Sequence, residues 1–243
     1  MKLSNNKILI TGGASGIGLG LTELFLANNN EVIICGRRQT KLDETKKKFP
    51  QLITFQCDLG KESERINLFN WIQSEHPDTE IIINNAGIQH WMDITDNHYY
   101  PKALEEITTN IIAPVHLITL FSKHPGIKTI INITSGLALS PLVKVPVYSA
   151  TKAFLRSYTQ SLREQLKQKS IEVIEILPPK LNTDLGGVGI HDDAPSVEGF
   201  IQAIYDQLKR GKTEIGYGLS QSLLDKNTAS TKEHFRRLNQ IKL

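Results

Sequence analysis

Residues 7–18 read KILITGGASGIG: a short run rich in β-branched side chains, a turn crowded with glycine, then a stretch in which Ile17, Leu21, Leu24 and Phe25 follow helical spacing. A strand that enters a helix through glycines gathers free backbone N–H groups and the positive end of the helix dipole at one point, which suits a phosphate. Plain turns are also rich in glycine. The position between strand and helix is what turns Gly12, Ser15, Gly16, Ile17 and Gly18 into candidate phosphate contacts.

Working outward, similar runs recur as EVIIC near Ile33, LITFQ near Ile53, EIIIN near Ile82, TIINI near Ile131 and EVIEI near Val173. They are continuous rather than alternating, as in strands covered on both faces. Amphipathic segments separate them; Leu155, Tyr158, Leu162 and Leu166 are one example. The pattern predicts an α/β protein, a doubly wound and mostly parallel sheet with helices on both faces, in which ligands sit beyond the carboxyl ends of the strands. No repeat, low-complexity tract or linker divides the chain, so residues 1–243 are expected to form a single domain. The glycine-bearing segment DLGGVGIHDDAPS suggests a lid around 184–197, within which His191 reads as a solvated loop histidine. Ser230 and Glu233, at capping-box spacing ahead of Phe235 and Leu238, suggest a helical tail around 219–243.

The bulk properties narrow the class. A chain of 243 residues, 40% hydrophobic and 22% charged, is long enough to bury a large core, and a net charge of +3 spread along its length implies neither a nucleic acid nor a membrane surface as partner. No apolar run approaches the roughly 20 residues that cross a bilayer, and no apolar leader precedes the first strand, which points to a cytoplasmic protein. Cys35 and Cys57 form no CxxC pair and suggest a reducing compartment. The histidines show no metal-ligand spacing, so no metal is assigned.

Three motifs stand in order: TGxxxGxG at Thr11–Gly18, NNAG at Asn84–Gly87 and YSATK at Tyr148–Lys152. With them the chain resembles the short-chain dehydrogenase/reductase family from Lys7 to about Thr183. The resemblance implies a Rossmann fold, a nicotinamide dinucleotide cofactor and a small-molecule carbonyl or alcohol substrate. It implies that Asp58, in CDL after the third strand, contacts the adenine amino group, with Leu59 also at the cofactor; a helix N-cap is the competing role for Asp58, and the two need not exclude each other. Asn85, Ala86 and Gly87 would lie along the adenosine half, while Asn84 could simply pin neighbouring strands. Pro178, Leu181 and Thr183, in LPPKLNT, would meet the nicotinamide carboxamide. Pro179 stands where the family has glycine, and this double proline is similar to that of DltE-like bacterial oxidoreductases. Association into a homodimer or homotetramer is implied as well.

For the cofactor, Gly36 occupies the place where a carboxylate would hold the ribose 2′-hydroxyl of NAD, and Arg37 and Arg38 follow. Guanidinium forks suit a 2′-phosphate, so NADP(H) is expected over NAD(H), the alternative being that the arginines only begin an exposed helix.

Catalysis is expected from Asn110, Ser135, Tyr148 and Lys152. A free tyrosine, with a pKa near 10, is ionised only about one part in a thousand at neutral pH. Lys152, one turn on, should lower it and make Tyr148 an acid/base. Ser135, after the fifth strand, can bond a substrate oxygen. Asn110 is expected on a helix whose Leu104, Ile107, Ile111, Val115 and Ile118 keep core spacing. Pro114 frees the Asn110 carbonyl there, and the family links it to Lys152 through water; a purely structural kink is the alternative. Lys152 and Tyr148 would also hold the nicotinamide ribose. His90 and Trp91 could line the pocket, or Trp91 could pack beneath the lid. The rival reading is a dinucleotide-binding regulator that binds cofactor without consuming it.

Overall fold

The structure, a computed structural model, describes residues 1–226. Seven parallel strands form one sheet in the order β3-β2-β1-β4-β5-β6-β7. They are β1 (Lys7–Thr11), β2 (Glu31–Gly36), β3 (Ile53–Gln56), β4 (Ile81–Asn84), β5 (Thr129–Ile133), β6 (Glu172–Leu177) and β7 (Glu214–Gly216). Strand order reverses between β1 and β4, opening a crevice at their carboxyl ends.

Alternate residues of the apolar runs face opposite layers. Ile8, Ile10, Val32, Ile34, Ile131 and Ile176 pack beneath helices α1 (Gly16–Ala27) and α7 (Val197–Lys209), through Leu21, Phe25, Phe200 and Ile204. Leu9, Ile33, Ile82, Ile130 and Val173 pack beneath α3 (Glu62–Glu75), α5 (Ala113–Phe121) and α6 (Pro146–Leu166), through Leu68, Ile72, Leu117, Phe121 and Leu162. A strand buried on both faces needs no polar alternation, hence the continuous runs. Cys35 and Cys57 are free and buried; burial pushes the Cys57 thiol up to about 12, so both act as small apolar side chains.

The chain continues through α2 (Gln39–Lys48) and α4 (Tyr99–Ile107), and a π-helical turn, Thr108–Ile112, joins α4 to α5. β7 escapes sequence reading because its three residues, EIG, carry a single large apolar side chain. Residues 184–196 form turns before α7 begins. A helix starts at 219 and continues to 226, while Ser230, Glu233, Phe235 and Leu238 lie outside the described residues.

Candidate active site

The glycine turn is built by backbone conformations and close approaches that a side chain would forbid. Gly12 and Gly16 have φ of +66° and +51°, and a Cβ on Gly18 would fall 2.1 Å from the Gly12 carbonyl oxygen. The turn is tied to the loop after β4. Thr11 Oγ1 accepts the N–H groups of Asn85 and Ala86, each at 3.0 Å, and Asn85 Nδ2 donates to the carbonyls of Thr11 (2.9 Å) and Gly12 (3.2 Å). The Asn85 Nδ2 is thus committed to the protein. Ser15 precedes α1 without capping it, Ile17 packs against the core, and no acid stands in the first turn of α1. A Cβ on Gly16 would lie 3.3 Å from Thr183 Cγ2, so the loop after β6 faces the turn. That loop carries buried Leu181, and its Pro178 carbonyl accepts the Gly136 N–H at 2.9 Å. These backbones leave a polar, uncrowded cradle at a helix N-terminus and fit a dinucleotide pyrophosphate.

Further along the same edge, Arg37 and Asp58 line a cleft of about 460 Å³ together with Phe55, Gln56, Lys61, Glu64 and Asn67. Arg37 is half exposed and lies 3.7 Å from Glu105. Arg38 directly precedes α2 and so begins a helix, while Arg37 stands at the cleft. Asp58 does not cap α3; that place is taken by Lys61, and Asp58 Oδ1 instead accepts the Gly60 N–H at 3.0 Å. The carbonyl of buried Leu59 accepts a bond from Arg65 Nη1 at 2.6 Å.

Asn110, Ser135, Tyr148 and Lys152 are all buried and converge where β4 and β5 end. The Ser135 side chain lies beside the Tyr148 phenol and opposes the rise that burial gives its pKa, and Ser135 Oγ accepts the Leu137 N–H at 3.1 Å. Lys152 Nζ donates to the Ile133 carbonyl at 2.8 Å and sits 5.6 Å from the centre of the Tyr148 ring. Asn110 Nδ2 donates to the Ile88 carbonyl (2.8 Å) and to Thr151 Oγ1 (3.2 Å), while its Oδ1 accepts the Ile88 N–H (2.9 Å). Gly87 keeps this junction open, since a Cβ there would sit 3.3 Å from Asn110 Oδ1 and 3.6 Å from Lys152 Nζ.

Two expectations need correction. Burial, the largest influence, drives the Tyr148 pKa up rather than down, and burial lowers that of Lys152 to about 8. With its ammonium bonded to a carbonyl, Lys152 does not offset the desolvation of the phenol. Second, the helix phase around Asn110 differs. Leu104 and Ile107 are exposed by 45% and 37%, and the inward face is Ala103, Glu106 and Asn110. The π-turn inserts one extra residue per turn and changes phase just ahead of Pro114, which has no N–H to offer the Asn110 carbonyl.

Around these groups, Trp91 and Gln89 close on the lid; a Cβ on Gly186 would fall 2.7 Å from Gln89 Nε2 and 3.2 Å from Trp91 Nε1. His191 is only partly exposed, with a buried Nδ1 that has no hydrogen-bond partner among the described residues. Ser149 Oγ accepts the Leu142 N–H at 3.2 Å and so fixes the loop after Ser135. Sequence reading missed Thr11, Thr151 and Glu106. Glu106 had a signal, since it lies four residues before Asn110 and therefore on the same helix face.

Comparison with known proteins gives the family and the fold. The family model described as short chain dehydrogenase matches residues 6–192. A Bacillus subtilis protein named "Uncharacterized oxidoreductase DltE" is 41% identical over 98% of each chain. A Burkholderia cenocepacia short chain dehydrogenase solved in complex with NADP superimposes with a TM-score of 0.80, at 22% identity over 98% of this chain and 99% of that one. A Brucella melitensis 3-ketoacyl-(acyl-carrier-protein) reductase complexed with NADH gives 0.78, at 20% identity over 88% and 97%. From the glycine turn to the serine–tyrosine–lysine cluster, the chain is an oxidoreductase belonging to the short-chain dehydrogenase family, similar to DltE.

Proposed function

We propose that the protein interconverts a carbonyl compound and its alcohol with NADP(H). The observation that carries this reading is the buried Ser135–Tyr148 hydroxyl pair with Lys152 beside it, at the strand edge that also bears the glycine turn. A bound NADPH supplies the hydride. Ser135 and Tyr148 direct two hydroxyls at the substrate oxygen, where negative charge grows in the transition state. Tyr148 donates its proton to that oxygen, and in the reverse direction the phenolate takes it back. Lys152, on the same helix face, is placed to hold the nicotinamide ribose, and Asn110 anchors the loop after β4 against α6 through Ile88 and Thr151.

The preference for NADP(H) rests on Arg37 at the cleft, on Arg38 next to it in sequence and on Gly36 in place of a carboxylate. Related folds are solved with either cofactor. Among the described residues no helix is long and apolar enough to cross a membrane. A regulator that only senses cofactor would not need the buried hydroxyl pair. The test is Tyr148→Phe: NADPH affinity measured by fluorescence titration stays within about threefold, while NADPH oxidation against a panel of ketones, quinones and aldehydes falls by about two to four orders of magnitude. Reduction at the parental rate by this variant rejects Tyr148 as the proton donor.

A further inference from the structure

Gln89 belongs to none of the motifs and takes no part in the reaction above. It follows Gly87 by two places, and a Cβ on Gly87 would already meet Lys152 Nζ at 3.6 Å, so the residue lies just outside the catalytic cluster. The backbone around it is pinned. The Asn110 side chain holds Ile88, at 2.9 Å through its N–H and 2.8 Å through its carbonyl; Glu106 Oε1 accepts the His90 N–H; and the Lys144 carbonyl accepts the Met92 N–H at 3.1 Å. A side chain on so fixed a stretch keeps its direction. Gln89 is only 9% exposed, yet its amide makes no hydrogen bond among the described residues.

That amide faces the lid. Gly186 has φ of +83°, and a Cβ on it would fall 2.7 Å from Gln89 Nε2 and 3.2 Å from Trp91 Nε1. Two nitrogen-bearing groups from alternate residues of one loop thus meet the lid at one place, and the Trp91 indole also has no hydrogen-bond partner among the described residues. On the lid itself, His191 Nδ1 is buried and likewise unpartnered among them. Folded interiors leave few polar groups in this state, so a set of them beside a substrate crevice marks a place that a ligand completes. The indole can only donate, whereas an amide with nothing to fix it can present either its NH₂ or its carbonyl. A hydroxyl answers both, since its oxygen accepts from the two nitrogens and its proton can be returned to the amide carbonyl.

We propose that Gln89, with Trp91 beside it, recognises a hydroxyl of the substrate, so that the carbonyl compound handled here carries a second oxygen away from the reacting one. The inference rests on the carbonyl–alcohol reading above. Ser135 and Tyr148 meet the reacting oxygen, Gln89 and Trp91 meet the second, and the lid covers that second contact at Gly186. A ketone without the hydroxyl leaves the buried amide unpaired against apolar atoms and is disfavoured for that reason. Glycine at 186 belongs to the same arrangement, because any side chain there would take the place of the Gln89 amide.

The experiment sets straight-chain methyl ketones against the same ketones bearing a terminal hydroxyl, at several chain lengths, by NADPH oxidation. At the matching length the parent should favour the hydroxylated ketone about tenfold in kcat/KM, as one hydrogen bond to a buried neutral group implies. Gln89→Leu should bring that ratio close to unity. Should thermal melting show this variant unfolded, Gln89→Met is equally apolar, nearer in length and judged by the same ratio. A residue that only supports the fold would lower both substrates alike and leave the ratio standing, which overturns the proposal; so does a parent that shows no preference at any length. Binding without turnover separates this claim from the reaction. Quenching of tryptophan fluorescence by the product diols and by the matching simple alcohols, in the presence of NADP, should show the same preference, again lost in Gln89→Leu. Preferential binding with no NADPH oxidation for any ketone counts against the carbonyl reaction and leaves the role of Gln89 in place. Oxidation of NADPH with no preference in either assay overturns the role of Gln89 and leaves the reaction standing.

Discussion

Arg37 shows how one side chain is shared between stability and recognition. Its guanidinium lies 3.7 Å from Glu105, with both residues about half exposed, so that pair contributes little to folding. A 2′-phosphate in the cleft beside Arg37 and Asp58 is a doubly charged, bidentate partner and should displace the carboxylate. Charge-assisted hydrogen bonds contribute about 1.5–3 kcal/mol, which corresponds to roughly 10- to 150-fold in affinity. Arg37→Ala should therefore raise the KM for NADPH by at least about tenfold while altering that for NADH by less than about threefold. Steady-state kinetics with both cofactors checks this. Equal losses for the two would assign Arg37 to the adenosine or the fold, and the 2′-phosphate reading would be abandoned.

At the scale of elements, the proposed catalytic groups are held by polar ladders that cross the sheet. Asn84 Nδ2 donates to Asn132 Oδ1 and Asn132 Nδ2 to Thr159 Oγ1, each at 2.9 Å, so β4, β5 and α6 are locked in register. One strand over, Glu175 on β6 accepts from Thr134 Oγ1 at 2.8 Å and pairs with Arg156 Nη1 at 2.6 Å. Thr134 directly precedes Ser135, and Arg156 lies one turn beyond Lys152. Burial raises the Glu175 pKa, and Arg156 opposes that rise. Arg156→Met should leave a buried carboxylate uncompensated and cost about 3–5 kcal/mol. Adding Glu175→Leu should recover most of it, as measured by urea unfolding. A cost below about 1 kcal/mol for the single change would show that the pair does not brace α6. The main elements were legible because strands buried on both faces must read as continuous β-branched runs, and the glycine turn because no other residue type tolerates those approaches. The helix phase around Asn110 was not legible. A π-turn leaves no periodic trace, so one core stripe was read straight through from Leu104 and Ile107 to Ile118. Of the ladders, the pinning role of Asn84 was anticipated, but its partners Asn132 and Thr159 and the Thr134–Glu175–Arg156 set were not, since each is distant in sequence and ordinary in type.

At the scale of the whole molecule, parallel strands deliver every strand end to one edge, which is why residues as far apart as Gly16 and Thr183 face each other. The same topology leaves an apolar surface elsewhere. Leu104 (45%), Ile107 (37%) and Ile112 (47%) on the α4–α5 stretch, and Phe154 (45%) on α6, are substantially exposed. Phe154 stacks on Tyr158 with ring centres 6.1 Å apart. Helices α4 and α6 pack together, and single exposed apolar residues are common, but several on two adjoining helices suit burial against an equally apolar surface. A second copy of the chain supplies one, and a two-fold pairing satisfies both faces at once. Size-exclusion chromatography with light scattering at tens of micromolar should therefore give a dimer or a tetramer. Leu104→Glu combined with Ile107→Glu should shift the mass towards 27.2 kDa, that of one chain. Those side chains are exposed whereas Ser135, Tyr148 and Lys152 are buried, so cofactor affinity should survive in the monomer. A parental protein that elutes as a monomer at that concentration, or a double variant that stays assembled, would mean that this face serves another purpose.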